Sequence, residues 1–261
     1  MENDAERLFR AAHIGDVESL RALIESGVDV KVRQHIEGTA LQEAVKWKGD
    51  ERHGVPEERH AEAIELLLEN GADPNIADYR GLTPLHCAAL KADKFLVRRL
   101  LDVGADPNSS KINACGWGDA PLHEACTLKK KESAACVQML IQAGARVNER
   151  CGIGYTPFSL AMERTPRLVK LLLRAGADID MARQDRKGPR RNWSRANLDL
   201  IAAVEKAGGW PAFVLAHRRV VVGLVTKCAP LPADGLVTKC APLPTDAAAH
   251  VASFLWPEGG F

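Results

Sequence analysis

The sequence predicts an all-α solenoid of stacked helix-turn-helix units joined by β-turn fingers, and three features carry that expectation. A four-residue signature recurs as Thr83-Pro84-Leu85-His86, Ala120-Pro121-Leu122-His123 and Thr156-Pro157-Phe158-Ser159. Each copy is followed, 18 to 22 residues after its Leu or Phe, by Gly-Ala and a polar residue. An aliphatic side chain also stands three residues before each of Gly27, Gly71, Gly104, Gly144 and Gly176, namely Ile24, Leu68, Leu101, Ile141 and Leu173. Further back come Leu20, Ile64, Val97, Val137 and Val169, a spacing that draws one apolar helical stripe per unit.

Each unit therefore reads as two helices. Pro84 suits a first helical turn, where its missing N–H would have no intrahelical partner, and Thr83 before it can accept from the orphan amides. Gly104 suits the opposite end, where a residue with positive φ closes the second helix. With these residues the chain resembles the ankyrin-repeat family, whose unit is a β-turn and two helices with a Thr-Pro-Leu-His signature. The resemblance covers residues 4 to 182 in five units.

Departures between units locate the loops. Leu8 to Gly27 and Leu85 to Gly104 each span 19 residues, whereas Leu41 to Gly71 spans 30, so the second unit carries an insertion. Its polar, Gly- and Pro-containing part, Lys48 to His60, reads as a mobile loop between that unit's helices. The fourth unit is longer between Leu122 and Gly144, with Lys129-Lys130-Lys131 in the bulge, and the finger before it, Ser109 to Trp117, is stretched. The first unit has Phe9 in place of the signature His, and the second has Ala40 in place of Pro84; the first reads as an N-terminal cap. Beyond Gly176, Leu198, Ile201 and Val204 lead to Gly208 and end a degenerate sixth repeat, in which Arg183 to Arg195 fills the space of the first helix. A capping role suits it, because terminal repeats need a polar outer face.

A helix-compatible stretch from Pro211 to Val222 follows, and then Gly223 to Asp234 and Gly235 to Asp246 repeat the same residues apart from Ala233 against Thr245. A segment that accepts a tandem duplication reads as a Pro-containing linker, with an amphipathic helix after it from Thr245 to Leu255. The expected organisation is thus 1–182 repeats, 183–222 degenerate cap and extra helix, and 223–261 linker and terminal helix.

Composition indicates a soluble, monomeric protein of a reducing compartment, cytoplasmic or nuclear. The charged start lacks an apolar signal core, and no apolar run is long enough to span a bilayer. Seven cysteines without a Cys-x-x-Cys pair form neither a zinc site nor a disulfide framework. Cys87 and Cys126 fall beside the packing alanines of first helices and read as small core residues. His86 and His123 recur with the structural period, which favours a structural role over chemistry, and the family resemblance implies that each fixes its turn by hydrogen bonds to neighbouring backbone. His53 and His60 with Glu57 and Glu58 have the side chains for a metal but no rigid element to set their geometry, so a solvated loop is favoured. With no phosphate loop, metal cluster or nucleophile-base constellation, the chain is expected to be no enzyme and to need no cofactor. The segment Arg183 to Arg195 has a local charge of +5 against +1 for the whole chain. It reads as a solvated cap, with nuclear import or nucleic-acid contact, Trp193 stacking, as the alternative.

The family resemblance implies protein binding along a concave groove lined by fingers and first helices. In that register the groove residues are Lys46 and Trp47, then Tyr79, Arg80, Leu82, Leu90 and Lys91, then Trp117, Asp119, Thr127 and Leu128, and finally Ile153, Tyr155, Glu163 and Arg164. Trp47 and Trp117 are expected to be exposed. Aromatic and Arg side chains on an exposed face are the stuff of interface hot spots. At the C-terminus, Leu243-Pro244-Thr245-Asp246 with Val251, Phe254 and Leu255 resembles the opening of an F-box, although Ala247 and Ala248 replace its leucines. Phe213 to Leu224 is a weaker match to a suppressor-of-cytokine-signalling box, with His217 and Val222 at variance. These resemblances imply an adaptor of a cullin-type ubiquitin ligase as the alternative to a plain binding module. A terminal helix folded back on the solenoid is the other reading of that helix, and a structural spacer without a specific ligand is the third reading of the whole chain.

Overall fold

The computed structural model describes residues 3–34, 38–49, 56–112, 118–128, 130, 132–162, 166–185 and 193–215. The expected linker and terminal helix, Leu243, Pro244, Val251, Phe254 and Leu255 among them, lie outside the described residues, as do Trp117, Glu163 and Arg164. The backbone divides into two compact units, residues 1–200 and 201–261.

The first unit is built from helical pairs. These are α1 (Asp4–His13) with α2 (Val17–Glu25), α3 (Ala40–Trp47) with α4 (Glu57–Glu69), α5 (Pro84–Lys91) with α6 (Lys94–Asp102), α7 (Pro121–Thr127) with α8 (Ser133–Gln142), and α9 (Pro157–Ala161) with α10 (Pro166–Arg174). The helix α11 (Ile179–Asp185) follows, and α12 (Arg195–Lys206) runs across the division between the units. In the second unit a short helical turn covers 210–215, where the rings of Trp210 and Phe213 stack with centroids 5.6 Å apart. Two fingers form antiparallel ribbons: β1 (Arg33–Gln34) with β2 (Gly38–Thr39), and β3 (Lys111–Ile112) with β4 (Gly118–Asp119). First helices pack in one row, α1, α3, α5, α7, α9 and α11; behind them α2 packs on α4, and α8 packs between α6 and α10. Arg99 of α6 bridges to α4, its Nε donating to both carboxylate oxygens of Glu65 at 3.0 and 2.8 Å.

Local chemistry sets the helix ends. Asn3, Asp16, Thr39, Asp93 and Thr156 cap α1, α2, α3, α6 and α9 by accepting from backbone amides of the first turn. At the other end Gly104 has φ 89°, its N–H donates to the Leu101 carbonyl at 3.0 Å, and the Ala105 N–H donates to Leu100 at 2.9 Å. The same pair of bonds closes α2, α4, α8, α10 and α12, a Schellman motif that satisfies two orphan carbonyls each time.

The core is aliphatic and laid down one layer per repeat. Leu8, Leu20, Leu41, Leu67, Leu85, Leu100, Leu122, Leu140 and Leu172 are fully buried, with Phe158 and Met162 in the fifth layer. Where first helices meet, side chains are small: Ala11-Ala12, Ala88-Ala89 and Ala125-Cys126 are buried and let backbones approach closely. Burial raises the thiol of Cys87 to about 11 and that of Cys126 to about 12, so both stay protonated near neutrality. They are core residues, as their positions predicted.

Three expectations change. The insertion of the second unit is shorter than 48–60, because α4 begins at Glu57 and His60 is 1% exposed inside it. Its Nε2 lies 3.0 Å from the His13 carbonyl, so His60 ties α4 to α1 and does not sit in a solvated loop with Glu57 and Glu58. A helix, α11, stands where the sequence offered no signature for one; its first turn follows Gly176 at once, with no finger between. Asp178, accepting from Asp180 and Met181 amides at 2.8 and 3.1 Å, starts it. Trp193 is 8% exposed, which removes it as a stacking platform.

At Gly104 a Cβ would meet nothing within 4 Å, so the demand there is conformational, not steric. Gly104→Ala is expected to lower unfolding stability by about 1 kcal/mol through positive φ alone, read as a lower urea midpoint at unchanged slope. An unchanged midpoint would contradict the closing role of the glycine.

Candidate functional site

The fingers carry the exposed groups, and the third and fifth are each a turn folded around one buried acceptor. In the third, Asp78 accepts through Oδ1 from the Arg80 and Leu82 amides at 2.8 and 2.9 Å, while its own N–H donates to the Leu82 carbonyl at 2.9 Å. That closure turns Tyr79 outward, 59% exposed, with the Arg80 guanidinium 5.6 Å from its ring centre. The fifth finger repeats the design with a thiol as acceptor: the Cys151 N–H donates to the Tyr155 carbonyl at 2.8 Å and its Sγ accepts from the Tyr155 amide at 3.3 Å. Ile153 at its tip is 47% exposed.

Side chains of the first helices hold the third, fourth and fifth fingers to the repeat before. His86 Nδ1 accepts from the Thr83 amide at 3.1 Å, which places the ring proton on Nε2, donating to the Asp119 carbonyl of the next finger at 2.9 Å. His123 does the same between Ala120 and Glu149, at 3.1 and 3.0 Å. In the second unit Gln42 takes over, its Nε2 donating to Leu82 at 2.5 Å. The Gln42 amide leaves no room for a side chain at Gly38, where a Cβ would fall 1.9 Å from its Oε1. Desolvation pushes the His123 imidazole below its ordinary value, so the neutral form that makes both bonds is the favoured one.

A second ladder runs along the helix ends. Asn75, Asn108 and Asn148 each donate to the glycine carbonyl closing the next repeat (Gly104, Gly144, Gly176) at 3.0 to 3.1 Å. Each also accepts from an amide two residues past that glycine, at 2.7 to 2.8 Å. Neither Gln42 nor these asparagines stood out in the sequence, although the asparagines recur four residues after Gly71, Gly104 and Gly144. That fixed offset was the available signal.

The helix side of the face is more tightly engaged than the sequence implied. Glu43, 2% exposed, accepts from Trp47 Nε1 at 2.8 Å and Lys46 Nζ at 3.0 Å and meets His13 Nδ1 at 3.2 Å. Trp47 is therefore half-buried, its ring 4.4 Å from that of His13, and it packs the first two repeats together. Leu82 is 6% exposed and belongs to the core of its finger, not to the groove. Asp119, Thr127, Leu128 and Tyr155 are half-buried, whereas Arg80 and Leu90 are exposed, Leu90 at 37%. Lys91 donates through Nζ to the Lys48 carbonyl, and Lys130 donates to that of Lys91 at 3.1 Å. Lys48 in turn pairs with Glu57 and, at 2.5 Å, with Asp93, the cap of α6. Burial alone would raise the Asp93 carboxyl; the Lys48 ammonium and the Leu96 and Phe95 amides outweigh it and hold it below the usual range. The tips Tyr79, Arg80 and Ile153 and the helix residue Leu90 thus remain as the outward groups among the described part of the predicted groove.

No cluster of three or more His, Cys, Asp or Glu suited to a metal occurs among the described residues. No described helix is long and apolar enough to cross a membrane.

Residues 8–111 match a family model for ankyrin repeats in 3 copies, and residues 117–151 match one for the single ankyrin repeat, together more than half of the chain. The chain is 34% identical over 155 residues to the nuclear factor NF-kappa-B p105 subunit of Gallus gallus, which is 58% of this chain and 15% of that protein. It is 29% identical over 186 residues to the E3 ubiquitin-protein ligase KEG of Arabidopsis thaliana, 66% of this chain and 11% of that one. It is also 30% identical over 148 residues to ankyrin repeat and SOCS box protein 11 of Danio rerio, 56% of this chain and 46% of that one. The chain thus spans less than half the length of each of these relatives.

The depressed imidazole of His123 has a consequence for pH. Above about pH 6.5 the ring is neutral both folded and unfolded; below that the unfolded chain takes up the proton first, so stability falls as pH drops toward the folded value. The melting temperature is expected to fall as pH drops below about 6.5, and His123→Gln is expected to flatten part of that slope. Equal slopes for parent and variant would show that His123 does not carry the effect.

Proposed function

The chain belongs to the ankyrin-repeat family, and from that premise we propose that its finger tips and first helices hold a protein partner. Ankyrin-repeat proteins are in general non-catalytic interaction modules. The observation that carries the finer reading is the set of apolar and cationic side chains left outward by hydrogen-bonded turns and a first helix. Tyr79, Arg80, Leu90 and Ile153 project from a frame held by buried hydrogen bonds, so little conformational entropy remains to be lost when a partner docks. An aromatic ring beside a guanidinium is the residue chemistry of a hot spot. Lys91, half-buried at the end of α5, adds positive charge and favours carboxylates on the partner.

A second reading, an adaptor for a ubiquitin ligase, is supported by the likeness to a relative whose name includes a SOCS box and by the Leu243-Pro244 and Phe254-Leu255 pattern of the tail. In that reading the repeats choose the substrate and the tail recruits the ligase.

One affinity experiment separates the readings. Tyr79→Ala with Ile153→Ser is expected to abolish recovery of the repeat-bound partner. Each anchor is assigned about 2 kcal/mol of binding, and folding stability should change by less than about 0.5 kcal/mol, since both side chains are exposed. A double variant that melts well below the parent would place these residues in the fold. Leu243→Ala with Phe254→Ala should release cullin components alone if the adaptor reading holds. A parent chain that recovers nothing specific would make the repeats a spacer.

A further inference from the structure

The outer face of the second helices carries a groove of about 400 Å³ between α6 and α8, away from the fingers. Its walls are Lys94, Phe95 and Arg98 from one helix and Ala135, Gln138 and Met139 from the other. Phe95 is 75% exposed, the most exposed large apolar side chain among the described residues. Its backbone is not loose, because the Phe95 amide donates to the capping carboxylate of Asp93 at 3.1 Å. An aromatic ring on an anchored backbone is thus offered to solvent, with the Lys94 ammonium 4.9 Å from its centre. The Arg98 guanidinium, one turn on, has no hydrogen bond or ion pair among the described residues, whereas its neighbour Arg99 is committed to Glu65.

Charge along this face is uneven. On α6 the exposed charges are Lys94 and Arg98, which line the groove, and Asp102 at the helix end, which does not; α8 contributes only amides, Ala135 and Met139 to the groove. The groove itself holds two cations and no carboxylate. Apolar walls carrying one sign of charge select an occupant of the opposite sign. Met139, flexible and polarisable, lets the walls adapt to the shape of the entering side chain.

We propose that this groove docks an acidic segment of a partner protein, one bulky apolar side chain seated on Phe95 and Met139 with flanking carboxylates on Lys94 and Arg98. The surface is independent of the finger face, and either can hold a partner without the other.

A random peptide library displayed on phage and panned on the full chain tests this, with the Phe95→Ala/Arg98→Glu variant panned in parallel. Both side chains are exposed, so the variant is expected to melt with the parent. Peptides enriched on the parent and lost on the variant should share an apolar anchor flanked by Asp or Glu. Synthetic copies should bind at least about tenfold more weakly to the variant, with no change in Tyr79→Ala. Variant-sensitive peptides that are neutral or basic, or the absence of any variant-sensitive peptide, would overturn the proposal. So would concentration-dependent dimerisation of the parent that disappears in Phe95→Ala, since the occupant would then be a second copy of the chain.

Discussion

Repeats three to five are each held by a side chain that belongs to the repeat before. Gln42, His86 and His123 reach from the start of one first helix to a backbone carbonyl of the next finger, and all three are buried. Stacking apolar helices alone would leave the fingers as extended strips of unpaired backbone, and a buried unpaired carbonyl costs about 1 to 3 kcal/mol. The histidines fit because a neutral imidazole accepts on one edge and donates on the other. One ring therefore closes its own helix start and fixes the neighbouring finger at the same time. The glutamine supplies only the donor, its Oε1 remaining buried without a partner among the described residues.

The asparagines perform the same service at the opposite edge, with amide side chains that both donate and accept. Between these two ladders the apolar layers need only be of the right size, which is why Phe158 and Met162 serve in the fifth repeat where Leu122 and Cys126 serve in the fourth. The ladders also fade at the ends. Lys31 stands where an asparagine would follow Gly27, and Ser159, in the place of the signature histidine, bonds back to its own Thr156 carbonyl at 2.9 Å. No finger follows the fifth repeat for a histidine to hold, since α11 begins directly after Gly176.

Charged groups in the interior follow the same economy. Glu43 is nearly inaccessible yet meets His13, Lys46 and Trp47, and Lys48 joins the insertion to the cap of α6 through Asp93. Burying such charges contributes little net stability over apolar replacements, but removing one partner leaves the other stranded at high cost. Their effect is to define register between repeats one to three. The surfaces left over, the finger tips and the outer groove between α6 and α8, are where aromatic and cationic side chains remain turned to solvent.

Local signals in the sequence were enough for the repeat, its helix ends and its aliphatic layers, because Pro at a helix start, Gly at its end and a 3.6-residue apolar period each act within a few residues. Finger membership was legible too, and Tyr79, Arg80 and Ile153 lie outward as their register implied. What lay beyond the sequence were facts decided by partners distant along the chain. Trp47 sits half-buried because His13 and Glu43 lie beside it, and Leu82 is buried because its finger closes onto Gln42. His60 is a tie to α1 because α4 begins three residues before it, and α11 forms against α9 without a signature of its own. A period identifies which side of a helix faces inward; only the packed neighbour determines whether an outward position is covered.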